Sequence, residues 1–106
     1  MATPTIAGDV MLESGYRMLF GTVTLDGSNP TDIALSGYLV APIFAIVQMD
    51  GSVAPAVDPS LITSNVSGTT LNIYAWKVTT TTDTTLIAST DSARVVDWLA
   101  IGASVR

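Results

Sequence analysis

The apolar residues of this chain come in short runs, and none of those runs repeats at helical spacing. They are rich in Val, Ile, Thr and aromatic residues and are cut apart by turn chemistry, the pattern that half-buried strands produce. The sequence predicts strands near Tyr16–Leu25, Thr31–Leu35, Leu39–Met49, Leu61–Val66, Thr69–Val78, Thr84–Ala88 and Arg94–Ile101. In "DGSNP" at 26–30 and "DGS" at 50–52 a glycine follows an aspartate, where positive φ carries no steric penalty. "SG" at 67–68 separates two alternating runs by the length of a tight hairpin turn. "VAPAVDPS" at 53–60 holds two prolines and reads as a surface loop. "TTTTDTT" at 79–85 lies between two strand-like runs, with Asp83 at the turn, and reads as a hairpin tip rather than a stalk or linker. The expected architecture is all-β, an antiparallel β-sandwich, with a small β-barrel as the alternative.

A strand with one face on a core and the other in water alternates apolar and polar residues. Three strands here do not. In Leu39–Met49 one row is Leu39, Ala41, Ile43, Ala45, Val47 and Met49, and the other is Val40, Pro42, Phe44, Ile46 and Gln48. Leu71, Ile73 and Ala75 oppose Asn72, Tyr74, Trp76 and Val78. Val96, Trp98 and Ala100 oppose Val95, Asp97, Leu99 and Ile101. A two-layer domain has one dry interior, so one set of rows faces outward and gains from being covered, by about 1.5–3 kcal/mol per large side chain. The expectation is a homo-oligomer of cyclic symmetry, a trimer, with sheets packed at its axis. The competing reading folds the loops or the first fifteen residues back over these faces.

Residues 1–15 carry Pro4, Gly8 and Gly15 and no clean alternation. They read as an irregular N-terminal arm that reaches a neighbouring subunit through Ile6, Val10, Met11 and Leu12, or else as a short edge segment; residues 16–106 form the single sandwich domain.

The 106 residues include only 12% charged side chains, about half the usual share, and the net charge is −5. Arg17, Lys77, Arg94 and Arg106 are scattered, which argues against a nucleic-acid partner. The start of the chain has neither a basic segment nor an apolar one of signal-peptide type, and "LVAPIFAIVQM" is too short to span a bilayer. No membrane partner and synthesis in a cytoplasm are expected. Without His or Cys the chain cannot build a Ser-His-Asp triad, a Cys-His pair or a His- or thiolate-ligated metal site. Most of its nine acidic residues adjoin Gly, Ser, Pro or Thr in turns, where Asp serves its own backbone. No catalytic residue, metal or cofactor is expected. Tyr74 and Trp76, with Asn72 beside them, could stack a sugar ring, although packing is the more economical use of that row.

"GTVTLDGSNPTDI" at 21–33, "LNIYAWKVTTTTDTTLIAST" at 71–90 and "VVDWLAIG" at 95–102 resemble the small all-β virion proteins of tailed bacteriophages, which decorate capsids or sit in tail fibres and knobs. The closing "DWLAIG" is also similar to the last strand of H-type lectin domains, antiparallel sandwiches that assemble as trimers or hexamers. After Trp98 this chain continues as Leu99, Ala100, Ile101 and Gly102, so no sugar-binding residue is carried over from that family. The resemblance implies a capsid decoration (cement) protein on the virion surface, bound to the major capsid protein, with Phe44, Tyr74 and Trp76 joining the arm residues as contacts. The alternative it implies is a lectin-like receptor-binding module of a tail fibre, reading a glycan through loops 50–60 or 79–85. A neck or tail-tube subunit is a third reading.

Overall fold

A computed structural model describes residues 2–51, 59–80 and 82–105. The chain forms β1 (Thr5–Met11), β2 (Tyr16–Thr24), β3 (Thr31–Ala34), β4 (Leu39–Met49), β5 (Leu61–Ser67), β6 (Thr70–Val78), β7 (Leu86–Ala88) and β8 (Val95–Ser104). All pairings are antiparallel. One sheet, A, has the order β1-β2-β8-β4. The other, B, has the order β3-β6-β5, and β7 pairs with the far end of β6 on Trp76–Val78. β3 and β7 therefore divide the length of β6 between them. Where they part, Ala75 is served from both directions: its N–H donates to Asn29 Oδ1 (2.8 Å), and its carbonyl accepts from the Ser89 N–H (2.9 Å).

Alternation decides what goes inside. Leu19, Val23, Val96, Trp98 and Ala100 of sheet A meet Ile33, Leu71, Ile73 and Ala75 of sheet B, with Leu25, Leu35 and Leu39 closing the cluster. The expected antiparallel sandwich is the observed one. The turns obey the expected chemistry. Asp26 Oδ1 accepts from the Ser28 amide and the Thr31 hydroxyl, both at 2.9 Å, and Gly27 takes φ 84°. Burial pulls the Asp26 carboxyl up, but those hydrogen bonds outweigh it and hold it below its ordinary value. Thr70–Val78 and Leu86–Ala88 are joined by the threonine-rich turn, where the Thr80 N–H donates to the Asp83 carbonyl (3.0 Å) and the Asp83 N–H to Thr80 Oγ1 (2.9 Å). The proline-bearing loop expected at 53–60 falls, as far as Asp58, outside the described residues.

The N-terminal region is irregular, but it belongs to the sandwich. The Ala2 N–H bonds the Asp32 carbonyl on sheet B (2.9 Å), after which the chain crosses to pair with β2 on sheet A. β1 carries a bulge at Ala7, between the Ile6–Gly21 and Gly8–Phe20 pairs. A 3-10 turn at Glu13–Gly15, with Ser14 at φ 65°, then leads into β2. Within the subunit β1 is the edge strand of sheet A.

Candidate interaction faces

The outward rows of sheet A follow from its register. In one row Val10, Met18, Ile101 and Phe44 lie side by side across β1, β2, β8 and β4. In the next, Gly8, Phe20, Leu99 and Ile46 do the same. Tyr16, Ala103 and Val40 continue the apolar surface at one end, while Thr22, Asp97 and Gln48 form a polar row at the other. Phe44 is 66% exposed and Ile46 54%, and Val10, Tyr16, Phe20 and Val40 are exposed as well. Outside that polar row, neutral side chains thus cover all four strands of this sheet face. Soluble monomers seldom leave so broad a contiguous apolar patch open.

This face is contoured rather than flat. The Phe20 ring lies over Gly8, so closely that a Cβ there would fall 2.0 Å from the ring. Beside it is a groove of about 490 Å³ whose outward walls are Ala7, Phe20, Ile46 and Leu99, with Thr22, Gln48 and Asp97 at its polar end. Gln48 Nε2 donates to Asp97 Oδ2 at 3.2 Å. A second hollow, of about 260 Å³, lies among Tyr16, Pro42, Phe44 and Ile101. Both depressions open on the same side of the molecule.

The outward side of sheet B is built otherwise. Trp76 donates through Nε1 to Thr63 Oγ1 (2.9 Å) and stacks on Tyr74, with ring centroids 6.2 Å apart and 12° between planes. Asn72 Nδ2 donates to Asn65 Oδ1 at 2.9 Å. These side chains satisfy one another across β5 and β6. Asp9 and Arg17 close one end of the sandwich with a two-pronged ion pair, and Arg17 also donates to the Tyr38 carbonyl (3.3 Å) with its guanidinium 5.3 Å from the Tyr38 ring. The hydrogen bonds from Arg17 hold the Asp9 carboxyl below its ordinary value.

The structure divides the residues expected as contacts. Val10 and Phe44 share one row of sheet A. Met11 and Leu12 are exposed where β1 ends. Ile6 points inward and packs on the chain's own core, while Tyr74 and Trp76 lie on the opposite side of the sandwich. Met18, Phe20 and Tyr16 complete the apolar face without having been singled out by the sequence, and Val40 continues it from the β4 row. Among the described residues no group of three or more acidic side chains is placed to hold a metal ion. Comparison with protein-family models, with curated proteins and with solved structures returns no match.

Proposed function

We propose that this chain is a structural assembly protein rather than a catalyst and that, following its resemblance to small phage virion proteins, it decorates a capsid. In this reading copies associate with one another and dock on the major capsid protein at the virion surface, adding interface area that resists internal pressure. The observation that carries it is the outer face of sheet A, where Val10, Met18, Phe20, Phe44, Ile46, Leu99 and Ile101 form one neutral surface across four strands. Phe44 and Ile46, the most exposed of them, each gain up to about 1.5–3 kcal/mol when covered and the half-buried side chains less, so several must be covered together to offset the entropic cost of association.

The test is to add purified protein to shells of the encoding phage that lack it, then measure retention and heat resistance. Saturable retention and a higher disruption temperature are expected. Shells that retain none at micromolar protein reject the decoration role. The lectin-like alternative draws on the Tyr74–Trp76 pair with Asn65 and Asn72 beside it. A reproducible saccharide on a glycan array, lost on Trp76→Ala, would put that reading first.

A further inference from the structure

Sheet A ends on two strands of opposite character. β1 is defended against strand pairing: it is bulged at Ala7, follows Pro4, and carries Asp9 in an ion pair. Bulges, prolines and charges are the usual means by which edge strands avoid pairing with other chains. β4 has none of them between Ile43 and Met49. Its Pro42 lies within the irregularity between Val40 and Ile43, and the seven residues that follow are uncharged and in unbroken register with β8.

The backbone polarity of that edge can be read from one bond. The Asp50 N–H donates to the Val95 carbonyl (3.1 Å), so residue 50 directs its peptide groups at β8. In an antiparallel ladder this direction alternates, and Phe44, Ile46 and Gln48 point the same way. The N–H and C=O groups of Ile43, Ala45, Val47 and Met49 therefore face away from β8, and among the described residues no strand pairs with them. β5 of sheet B approaches β4 at that corner of the sandwich without pairing to it.

We propose that two copies of this chain join through β4, antiparallel about a two-fold axis at Ile46, into one continuous eight-stranded sheet. This register uses every free peptide group: Ala45 pairs with the partner's Val47 and Ile43 with the partner's Met49, each pair exchanging two hydrogen bonds. It sets Ile46 beside the partner's Ile46 and Phe44 beside the partner's Gln48, so the apolar rows of the two outer faces run on into each other. Asp50 falls opposite the partner's Pro42, which keeps like charges apart although each chain carries a net −5. Among the described residues no other edge offers as much. The Ala2 N–H already occupies the Asp32 carbonyl of β3, β7 has only three residues, and β5 would extend a polar face bearing Thr63 and Asn65. The pairing is independent of the decoration role, since it needs no shell.

The experiment is residue-resolved amide hydrogen exchange on the intact protein at low and high concentration, beside sedimentation equilibrium. The Phe44, Ile46 and Gln48 amides are expected to be protected at every concentration. Those of Ala45 and Val47 gain at least tenfold protection only where the dimer forms. Ala45→Pro removes a free-edge donor without removing a bond to β8, and the variant is expected to melt like wild type when dilute and to sediment as a monomer. A wild-type protein that stays monomeric near millimolar concentration overturns the proposal. So does a dimer whose Ala45 and Val47 amides exchange freely, or a folded Ala45→Pro variant that still dimerises. Should that variant fail to fold, the wild-type amide pattern alone decides.

Discussion

The two sheets share a core and one rule of alternation, yet their outer faces reach opposite ends. On sheet B the polar and aromatic outward groups are consumed within the subunit: the indole N–H of Trp76 goes to Thr63, Asn72 to Asn65, and Tyr74 to the face of Trp76. Those groups lose little by meeting water, and the exposed Leu61 and Leu86 lie singly at the ends of that row rather than in a continuous patch. On sheet A the outward groups over the apolar rows have no polar atoms to satisfy, and Phe44 and Ile46 stand more than half exposed. The lesson is that apolar content alone does not mark a docking face. Both sheets present aromatic residues outward, and what separates them is whether the surface is already complete with its own cross-strand partners.

The most direct way to break this contrast is to make the two faces equally polar. Replacing Phe44 and Ile46 together by Ser removes two exposed side chains whose burial against a partner is worth about 1.5–3 kcal/mol each. Retention on shells is expected to fall by at least about 100-fold, with little change in the melting temperature of the dilute protein. Tyr74→Ser on sheet B serves as the control and is expected to leave retention within a few-fold of wild type. Equal losses from the two changes would erase the distinction between the faces.

A smaller effect sharpens the shape of face A. Gly8→Ala places a Cβ where the Phe20 ring now lies, 2.0 Å from its tip. The ring must swing away or β1 must shift, and because the exposed Phe20 ring can move toward solvent the cost is expected at or below about 1 kcal/mol, the low end of overpacking. Chemical denaturation measures that cost, and Gly8→Ala with Phe20→Leu is expected to recover most of it. On sheet B, Thr63→Val deletes the acceptor of the Trp76 N–H, and a loss of about 0.5–1.5 kcal/mol is expected by the same assay. A neutral result would mean that water satisfies the indole as well as Thr63 does, and the outer side of sheet B would not be self-completed.

Much of this was legible in the residues. The apolar rows of β4 were assigned correctly because a period of two survives the irregularity between Val40 and Ile43: two residues are spent there, so parity is kept and Phe44 and Ile46 stay outward. The N-terminal segment shows the opposite case. Ile6, Val10, Met11 and Leu12 read together as contacts for a neighbouring subunit, but the single extra residue at Ala7 reverses parity, turning Ile6 into the core and leaving Val10 outside. A one-residue bulge leaves no mark in a hydrophobic pattern. Met18 and Phe20 escaped notice for another reason. Their row becomes a surface only when β2 is known to lie between β1 and β8, and strand order is set by packing across the whole chain rather than by any local stretch.

The smallest effect concerns pH, and it separates the ends of the sandwich from its apolar face. Three carboxyls lie below their ordinary values: Asp9 through the Arg17 hydrogen bonds, Asp83 through the Thr85 amide and hydroxyl, and Asp26 where turn hydrogen bonds overcome burial. A carboxyl with a lowered folded pKa binds fewer protons folded than unfolded. Its contribution is complete above the unfolded value, near 4, and is lost as pH falls through the folded one. Each of the three is largely exposed, so solvent screening keeps the individual contributions small. None stands in the outward rows of sheet A, and the chain has no histidine to titrate between pH 5 and 8. The melting temperature is therefore expected to hold level from pH 8 to 5 and to decline below about pH 4, with Asp9→Asn flattening part of that decline. Association through face A is expected to track the folded fraction at every pH. A fall in association between pH 5 and 8, with the melting temperature unchanged, would show that the face is held by titrating groups and not by its neutral rows.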